Sequence, residues 1–451
     1  MAVACAPEHQ GALDGIFAAV ETVLRLGYGA AGALARALSS VVPDGDAKLF
    51  RALRARRGIR ERYARWAASN RDATRALLWM HAPSVGEGLQ ARPVLQRARA
   101  SRPDVQLAYT FFSPSAASFA RGLDVDFADY LPFDTEGDAA AALDALRPRA
   151  LVFSKLDVWP VLASAAAQRG VALGLTSATL ADASSRRGLL ASRLLRSAYA
   201  RLDAVGAIDP RDAERLVALG VHRDRIAVTG DTRYDQVWAR AQGVDRSSGP
   251  VAVLASERPT VVAGSTWPAD ERLLLAAWRT VRARVPGARL VVAPHEPTPS
   301  HLDPIERWAA AERVVAARLS APNVADADVV IVDRVGVLGD MYALATAAYV
   351  GGGFHAAGLH SVLEPAAFGA PVLFGPRFAN SRDAELLITA GGGRSADNDQ
   401  MLAATLIEWL SDERTRETAG TAARELVRRG LGAAERSWDL VSRLLGDSDR
   451  R

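Results

Sequence analysis

The chain has 451 residues, which is too long for one compact domain and fits two domains of ordinary size. Hydrophobic residues make up 49% of it, as in a folded globular protein, and a formal net charge of only +4 does not argue for a nucleic-acid partner. The single cysteine, Cys5, excludes a disulfide within the chain and a cysteine-based zinc site.

The first 66 residues combine an apolar stretch with a basic one. Residues 12–42 are compatible with a helix, but charged residues interrupt them well short of the ~18–20 apolar residues that a spanning helix needs. The basic stretch that follows predicts contact with an anionic membrane surface through Arg54, Arg56, Arg57 and Arg60. The alternative is a first helix docked on its own domain. No recognition helix or stacking-aromatic pattern accompanies these charges, so we expect no nucleic-acid contact.

From residue 76 onward, short apolar runs alternate with helical stretches. Apolar strands separated by helices indicate a parallel sheet covered on both faces, and the predicted strands of a first series are 76–82, 105–112, 150–156, 171–177, 204–209 and 225–231. Residues 241–259, rich in Gly, Ser and Pro, interrupt the pattern. The strands of a second series are 260–266, 288–294, 328–333, 347–353 and 371–376.

This pattern predicts an α/β protein with two doubly wound Rossmann-like domains facing across a cleft. The expected boundaries are a membrane-associated segment over 1–66, a first Rossmann-like domain over 67–242, a linker over 243–259, a second Rossmann-like domain over 260–430 and a C-terminal helix over 431–451.

The motif SVGEG (84–88) lies where a strand ends and a helix begins, the place at which α/β sheets hold ligands. Its glycines allow close approach to the backbone, and Glu87 would be free to accept a proton from a sugar hydroxyl. The alternative is a carboxylate that only complements the dipole of the helix.

A second motif, GGG (351–353) followed by GLHSVLEP (358–365), runs from a strand into the next helix. Free N–H groups at a helix start favour a phosphate, and Glu364 could accept hydrogen bonds from a ribose diol. The alternative is a tight turn between strand and helix. Gly264-Ser265-Thr266 repeats the arrangement at the first strand of this half.

Two other patterns have simpler interpretations. Gly27-x-Gly29-x-x-Gly32 matches a dinucleotide fingerprint, but a helical stretch precedes it, so we interpret these as small residues on a membrane-surface helix. The Asp-x-Asp pairs at 124–126 and 326–328 are typical of turn or cap residues.

Taken together and in order, the motifs resemble the bacterial Kdo transferase family, which attaches 3-deoxy-D-manno-octulosonic acid (Kdo) to lipid A. The similar segments are HAPSVGEG (81–88), YLPFD (130–134), VTGDTRYD (228–235), VAGSTWPADE (262–271), APHEP (293–297), VDRVGVLGDMY (332–342) and YVGGGFHAAGLHSVLEPAAFGAPVLFGP (349–376). The resemblance extends from about residue 48 to 395.

The resemblance implies a GT-B glycosyltransferase of lipopolysaccharide core biosynthesis, with CMP-Kdo as donor and a lipid A precursor as acceptor. It implies no metal or other cofactor, and a peripheral or monotopic place at the cytoplasmic face of the bacterial inner membrane.

The resemblance also assigns residues. Glu87 falls on the catalytic carboxylate, which removes the acceptor proton in an inverting displacement. The donor-binding positions are Arg233, Ser265, Thr266, Pro294, His295, Gly336, Gly352, Gly353, His360, Ser361, Glu364 and Asn380. The acceptor-binding positions are Ser84, Gly86, Lys155, Asp157 and Trp159.

Several positions depart from the family pattern. Lys155 stands where the family usually has an acidic residue, Thr179 where it has Arg, Arg233 where it has Lys, and Ser361 where it has Asn. The acceptor, the number of sugars added and the choice between Kdo and a related ulosonic acid therefore stay open. Two other hypotheses remain: a GT-B transferase that uses another nucleotide sugar, and a glycolipid-binding paralogue without turnover.

Overall fold

The computed structural model describes residues 27–43, 47–180 and 195–446. The chain divides into two compact units. The first comprises the chain up to Thr232 together with the residues from Gly432 onward, and the second comprises Arg233–Leu431. Within the described ranges, no helix is long and apolar enough to cross a membrane.

The first unit is built on a seven-stranded parallel sheet with the strand order β3-β2-β1-β4-β5-β6-β7. Its strands are β1 (Leu77–His81), β2 (Gln106–Phe111), β3 (Phe127–Tyr130), β4 (Ala150–Ser154), β5 (Ala172–Ala178), β6 (Ala204–Ala207) and β7 (Ile226–Val228). Strands β1, β2 and β4 are buried along their whole length, as their continuous apolar runs predict.

Helices cover both faces of this sheet. They are α1 (27–41), α2 (Lys48–Arg54), α3 (Ile59–Asn70), α4 (Val85–Ser101), α5 (Ala116–Arg121), α6 (Glu136–Leu146), α7 (Pro160–Gln168), α8 (195–199) and α9 (Pro210–Ala218). One apolar core contains Trp79, Phe153 and Tyr199, and the core on the opposite face contains Met80 and Tyr109.

The last helix returns to the first unit, which the predicted order of domains did not include. It is α19 (Ala433–Leu445), whose Trp438 and Val441 are buried in the core that contains Met80. Glycines in the sheet make room for it: a Cβ on Gly174 would lie 2.9 Å from the Leu444 side chain. The apolar face of α19 therefore completes the first unit instead of forming a separate C-terminal element.

The second unit also has a seven-stranded parallel sheet, with the order β10-β11-β9-β8-β12-β13-β14. Its strands are β8 (Thr260–Thr266), β9 (Arg289–Pro294), β10 (Ala316–Arg318), β11 (Val329–Ile331), β12 (Ala347–Val350), β13 (Val372–Phe374) and β14 (Gly393–Ser395). Its helices are α10 (Arg233–Gly243), α11 (Gly249–Leu254), α12 (Pro268–Arg284), α13 (Pro299–Ala311), α14 (Leu338–Met341), α15 (Leu363–Ala367), α16 (Arg382–Thr389), α17 (Asp399–Ser411) and α18 (Glu413–Arg429).

The boundary between the units lies earlier than the sequence pattern indicated. Helix α10 begins the second unit at Arg233, whereas the predicted linker begins at residue 243. The Gly-, Ser- and Pro-rich stretch 243–259 contains helix α11, whose Val251 and Leu254 are buried. These two apolar side chains pack into the unit, so the turn-rich composition does not mark a separate linker.

Helix α1 docks on the first unit. Its helical residues include Gly27, Gly29 and Gly32, which confirms that they lie on a helix, whereas contact of this helix with a membrane stays a prediction. A Cβ on Gly32 would lie 3.3 Å from the backbone oxygen of Asp134, so the helix closely approaches the loop between β3 and α6. Residues 1–26, the first part of the predicted membrane-associated segment, lie outside the described residues.

The basic stretch of the N-terminal segment makes contacts inside the first unit. Arg56 is buried and donates hydrogen bonds to the carbonyl oxygens of Ala52, Phe112 and Leu131 at 2.7, 3.2 and 2.8 Å. Burial lowers the pKa of Arg56 to about 10, so the guanidinium stays charged at neutral pH. The prediction that Arg56 faces a membrane is therefore wrong, because its side chain satisfies carbonyl groups inside the unit.

The other three arginines of the cluster also have partners within the unit. Arg57 donates to the carbonyl oxygens of Ser39 and Val42, and Arg54 donates to that of Pro43. Arg60 pairs with Asp138, whose side chain is almost fully buried. The Arg57 contacts hold helix α1 to its own domain, the alternative that the sequence left open, whereas the Arg60 pair joins α3 to α6.

Candidate active site

The strand order of the first sheet reverses between β1 and β4, which pair as neighbours although they are far apart in sequence. In doubly wound sheets, ligands bind beyond the carboxyl ends of the strands at such a reversal. Glu87 lies in the first turn of α4, directly after β1, and Lys155 directly follows β4. Their Oε1 and Nζ atoms are 3.2 Å apart, so the structure brings two predicted site residues together.

The Glu87 carboxylate is ionised in this setting. Burial raises its pKa, but a hydrogen bond donated by the Ser84 hydroxyl to Oε2 and the positive charge of Lys155 outweigh burial, and the net pKa is lowered. The carboxylate is therefore charged at neutral pH. Each of its oxygens accepts one described hydrogen bond and keeps capacity for another.

The two glycines beside Glu87 have different structural surroundings. A Cβ on Gly88 would lie 2.6 Å from the Phe119 ring and 2.8 Å from the Tyr109 hydroxyl, so packing of α4 requires a glycine there. A Cβ on Gly86 would meet only the Ser84 hydroxyl, at 3.7 Å. Open space at Gly86 is consistent with the predicted approach of an acceptor, whereas Gly88 is a packing residue.

Asp157 and Trp159 meet next to His81, a residue for which the sequence suggested no role. The Trp159 indole N–H lies 3.1 Å from His81 Nε2 and 3.0 Å from Asp157 Oδ2. His81 is fully buried at the end of β1, and its Nδ1 lies 3.0 Å from the Thr110 hydroxyl. The sequence did contain one signal that could have identified His81: it is a polar residue at the end of an otherwise apolar strand.

The second sheet reverses its strand order between β8 and β12, where the glycine-rich segments lie. The backbone N–H of Gly351 donates to the oxygen of Gly264 at 2.9 Å, and a Cβ on Gly351 would lie only 2.2 Å from the oxygen of Ser265. Thr266 is buried and donates to Glu271 at 2.8 Å. The predicted residues Ser265, Thr266, Gly352 and Gly353 therefore surround one strand reversal.

Asp270 organises these loops, and the sequence did not single it out. It is fully buried, and its carboxylate accepts four hydrogen bonds, from the N–H groups of Trp267, Gly352 and Phe354 and from the Tyr349 hydroxyl, at 2.8–3.1 Å. Two N–H groups of the glycine turn are thus occupied by Asp270. These two N–H groups are therefore not free to bind a phosphate, and the predicted roles of Gly352 and Gly353 in donor binding stay predictions.

Four of the seven histidines of the chain surround Trp267. The indole stacks on His355 with ring centroids 4.2 Å apart and on His295 at 4.7 Å, and its N–H donates to His360 Nε2 at 3.1 Å. Burial, followed by the neighbouring His295, lowers the pKa of His360 to about 4. His360 is therefore neutral at physiological pH, as an acceptor of the indole hydrogen bond must be.

Predicted donor residues elsewhere in this unit support the loops. Asn380 accepts from the N–H of Leu359 and donates to its carbonyl, both at 3.0 Å, which holds the chain next to His360. Burial raises the pKa of Glu364, in the first turn of α15.

Four further predicted donor residues lie in different surroundings. Arg233 forms an ion pair with Asp383 at 2.8 Å. Ser361 and Gly336 are exposed, and Pro294 is buried at the end of β9. The structure therefore leaves the predicted roles of these four residues as predictions.

A family profile described as "3-Deoxy-D-manno-octulosonic-acid transferase (kdotransferase)" matches residues 57–236. A 3-deoxy-D-manno-octulosonic acid transferase from Bordetella pertussis is 29% identical over 405 residues, which cover 85% of this chain and 91% of the relative. The transferase of the same description from Haemophilus influenzae is 24% identical over 395 residues, covering 86% and 91%.

Among solved structures, the UDP-GlcNAc 2-epimerase from Neisseria meningitidis bound to UDP-GlcNAc has a similar fold. Its TM-score is 0.61 at 12% sequence identity, and the match covers 82% of this chain and 99% of that one. At this identity the likeness concerns the fold alone. Together with the two parallel sheets, it confirms the predicted α/β class of two doubly wound Rossmann-like domains.

Proposed function

Since the chain belongs to the Kdo transferase family, we propose that it transfers Kdo, or a related ulosonic acid, from its CMP-activated form to a lipid A precursor. The protein is a glycosyltransferase of the GT-B class, and the proposed reaction belongs to the assembly of the lipopolysaccharide core. The ionised Glu87 at the strand reversal of the first sheet is the observation that carries the mechanism.

In this mechanism Glu87 is the general base. The acceptor hydroxyl oxygen forms a bond to the anomeric carbon of the donor sugar, the bond from that carbon to the phosphate oxygen breaks, and CMP leaves with the electron pair. The hydroxyl proton passes to Glu87, and the configuration inverts. A positioned base of this kind contributes about 10²–10⁴-fold to the rate.

The second unit supplies the residues that we propose for the donor. Asp270 draws the Gly352 turn toward the loop that follows β8, and Trp267 stacks with His295 and His355 beside it. Aromatic and imidazole rings next to a glycine-bordered strand end suit a ligand that carries both a base and a phosphate. We expect the reaction to need no metal ion, so excess EDTA should leave the initial rate unchanged.

We also propose that the protein acts at the cytoplasmic face of the inner membrane, through helix α1. Leu34, Leu38 and Val41 share one face of this helix and are 61%, 44% and 73% exposed. The exposed Arg57 donates to the carbonyl oxygens of Ser39 and Val42, so a cation lies beside this apolar stripe. An apolar stripe with neighbouring cations suits the interface of an anionic bilayer.

A vesicle experiment tests the membrane proposal. Replacing Leu34, Leu38 and Val41 together by Ser should reduce co-sedimentation with phosphatidylglycerol vesicles, because the helix loses its apolar face. The matched control is Val315→Ser, which changes a valine of the second unit that is 53% exposed. Equal sedimentation of the triple variant and the control would contradict the proposal.

Radiolabel transfer from CMP-Kdo to a lipid A precursor tests the activity. We expect Glu87→Gln to lower the transfer rate by about 10²–10⁴-fold, because the amide cannot take the proton. Glu435→Gln is the control, since this exposed carboxylate pairs only with Arg97 at 2.8 Å among the described contacts. Full activity of Glu87→Gln would remove Glu87 from the mechanism.

The nucleotide is tested separately by thermal unfolding. A ligand at 100 times its dissociation constant stabilises the folded state by about 2.7 kcal/mol. We expect stabilisation by CMP and none by UDP or GDP. The reverse result would support a GT-B transferase that uses another nucleotide sugar.

A further inference from the structure

We propose that Lys155 binds an anionic group of the acceptor beside Glu87, and thereby selects acceptors that carry a phosphate or carboxylate close to the attacked hydroxyl. The inference rests on the proposed function, because it assumes that Glu87 marks the place of the acceptor hydroxyl.

The geometry leaves the ammonium group of Lys155 available to a ligand. Nζ lies 3.2 Å from Glu87 Oε1, and the side chain of Lys155 is 45% exposed, whereas that of Glu87 is only 18% exposed. An ammonium group has three N–H donors, and the described contacts of Nζ use one of them. The other two N–H donors of this half-exposed side chain therefore have no described partner.

The choice of lysine is unusual in this chain. Lys155 is one of two lysines in a sequence with 53 arginines. A guanidinium at this place would pair with both oxygens of a carboxylate as a rigid fork. The compact ammonium on a flexible stem instead contacts one oxygen of Glu87 and can turn toward a second anion, so lysine permits an exchange of partners that arginine resists.

The backbone places Lys155 at this point at a conformational cost. Its φ is 66°, in the left-handed region that favours glycine, and its N–H donates to the oxygen of Thr176 at 2.8 Å. The preceding residue, Ser154, donates through its hydroxyl to the backbone oxygen of Glu87 at 3.3 Å. Strained non-glycine residues held by their surroundings concentrate at functional sites. Here the strain occurs at the strand reversal where a ligand is expected.

The proposal has a consequence for the base. Without a ligand, Lys155 stabilises the charged form of Glu87. When an acceptor anion shares the ammonium, the carboxylate loses part of that stabilisation and becomes a better proton acceptor. An acceptor without the anionic group would leave Glu87 paired and less basic, which extends the selection from binding to the chemical step.

Acceptor discrimination tests the proposal. The probes are a lipid A precursor with its phosphates, the same precursor after enzymatic dephosphorylation, and a dephosphorylated precursor that already carries one Kdo carboxylate. We expect wild-type protein to prefer an anionic probe over the dephosphorylated one by about tenfold in kcat/KM. If the phosphorylated precursor shows this higher kcat/KM, the group that Lys155 binds is a phosphate, and if the Kdo-bearing precursor shows it, the group is a carboxylate.

Matched variants separate the role of the charge from a structural role. In Lys155→Met we expect the preference to fall to about one, chiefly through a higher KM for the anionic acceptor, and in Lys155→Arg we expect it to be partly restored. Arg169→Met is the control, since Arg169 is paired with Asp144 on the surface. Lys155→Gln replaces the methionine variant if that protein does not fold. An unchanged preference in the charge-free variant would overturn the proposal.

A binding measurement distinguishes this inference from the proposed activity. Glu87→Gln protein is titrated with the phosphorylated and the dephosphorylated precursor, with and without Lys155→Met. Loss of discrimination on removing Lys155 supports the anion site, and if wild-type protein transfers no sugar in the radiolabel assay, the proposed function alone fails. Equal binding of both probes to protein that retains Lys155 refutes the anion site whatever the activity.

Discussion

Replacing Asp270 by Asn should loosen the loops of the second sheet, and the structure sets the size of the effect. The carboxylate is fully buried, and each of its oxygens accepts two hydrogen bonds. An amide keeps one acceptor oxygen and presents N–H groups where the other oxygen was. The best orientation turns this amide nitrogen toward Tyr349, whose hydroxyl can accept, and leaves the N–H of Phe354 without a partner.

A buried N–H group without an acceptor costs about 1–3 kcal/mol. For a unit of about 200 residues, each kcal/mol lowers the melting temperature by about 2–4 °C, so we expect Asp270→Asn to melt about 2–12 °C below wild type. We also expect weaker binding of CMP, because Trp267 and Gly352 lose their common anchor. Circular dichroism on heating and isothermal titration with CMP measure the two effects.

Asp412→Asn is the matched control. Asp412 is exposed and caps α18 by accepting from the N–H of Thr415 at 3.1 Å. Asparagine caps a helix about as well as aspartate, so this variant should melt within about 1 °C of wild type. If Asp270→Asn melts at the same temperature as the control and binds CMP equally, the assigned role of Asp270 is refuted.

Three further predictions concern the first-sheet carboxylate, a histidine and a buried arginine. Lys155→Met should raise the pKa of Glu87, so the acid limb of the pH profile of kcat/KM moves to higher pH; an unmoved limb contradicts the pairing. His360 has a pKa of about 4 in the folded protein, below that of an unfolded chain, so wild type should lose stability as the pH falls from about 6.5 to 4, and His360→Gln should lose less in urea titrations across that range. Arg56→Met should cost about 2–4 kcal/mol in urea unfolding because three carbonyl oxygens lose their donor, whereas the exposed Arg65→Met should cost little; equal midpoints would refute this.

The central strands were predictable because burial on both faces leaves a continuous apolar run. The edge strands β3, β10 and β14 were not, since each has exposed or half-buried residues and too short an apolar run to stand out. The unit boundary was missed for a related reason. The stretch 243–259 has the composition of a linker, but burial of Val251 depends on packing that composition does not reveal.

The site was predictable as a set of motifs but not as a set of contacts. The position of Glu87 after a strand indicated the edge of the sheet, whereas its pairing with Lys155, 68 positions later, follows from the strand order. Asp270 had a partial signal, because Pro268 at the first position of a helix and an acidic residue two positions later are typical of a helix start. The hydrogen bonds of Asp270 to the Gly352 turn depend on tertiary structure and have no local signature.

The return of α19 to the first sheet makes that unit discontinuous in sequence. A ribosome synthesises its first 232 residues, then the entire second unit, and only afterwards the helix whose Trp438 and Val441 close one of its cores. During translation the second unit can reach its native state while the first still exposes an unfilled apolar groove. We therefore expect the part of the protein that begins synthesis to finish folding last and to expose apolar surface in the interval, as incompletely folded domains do.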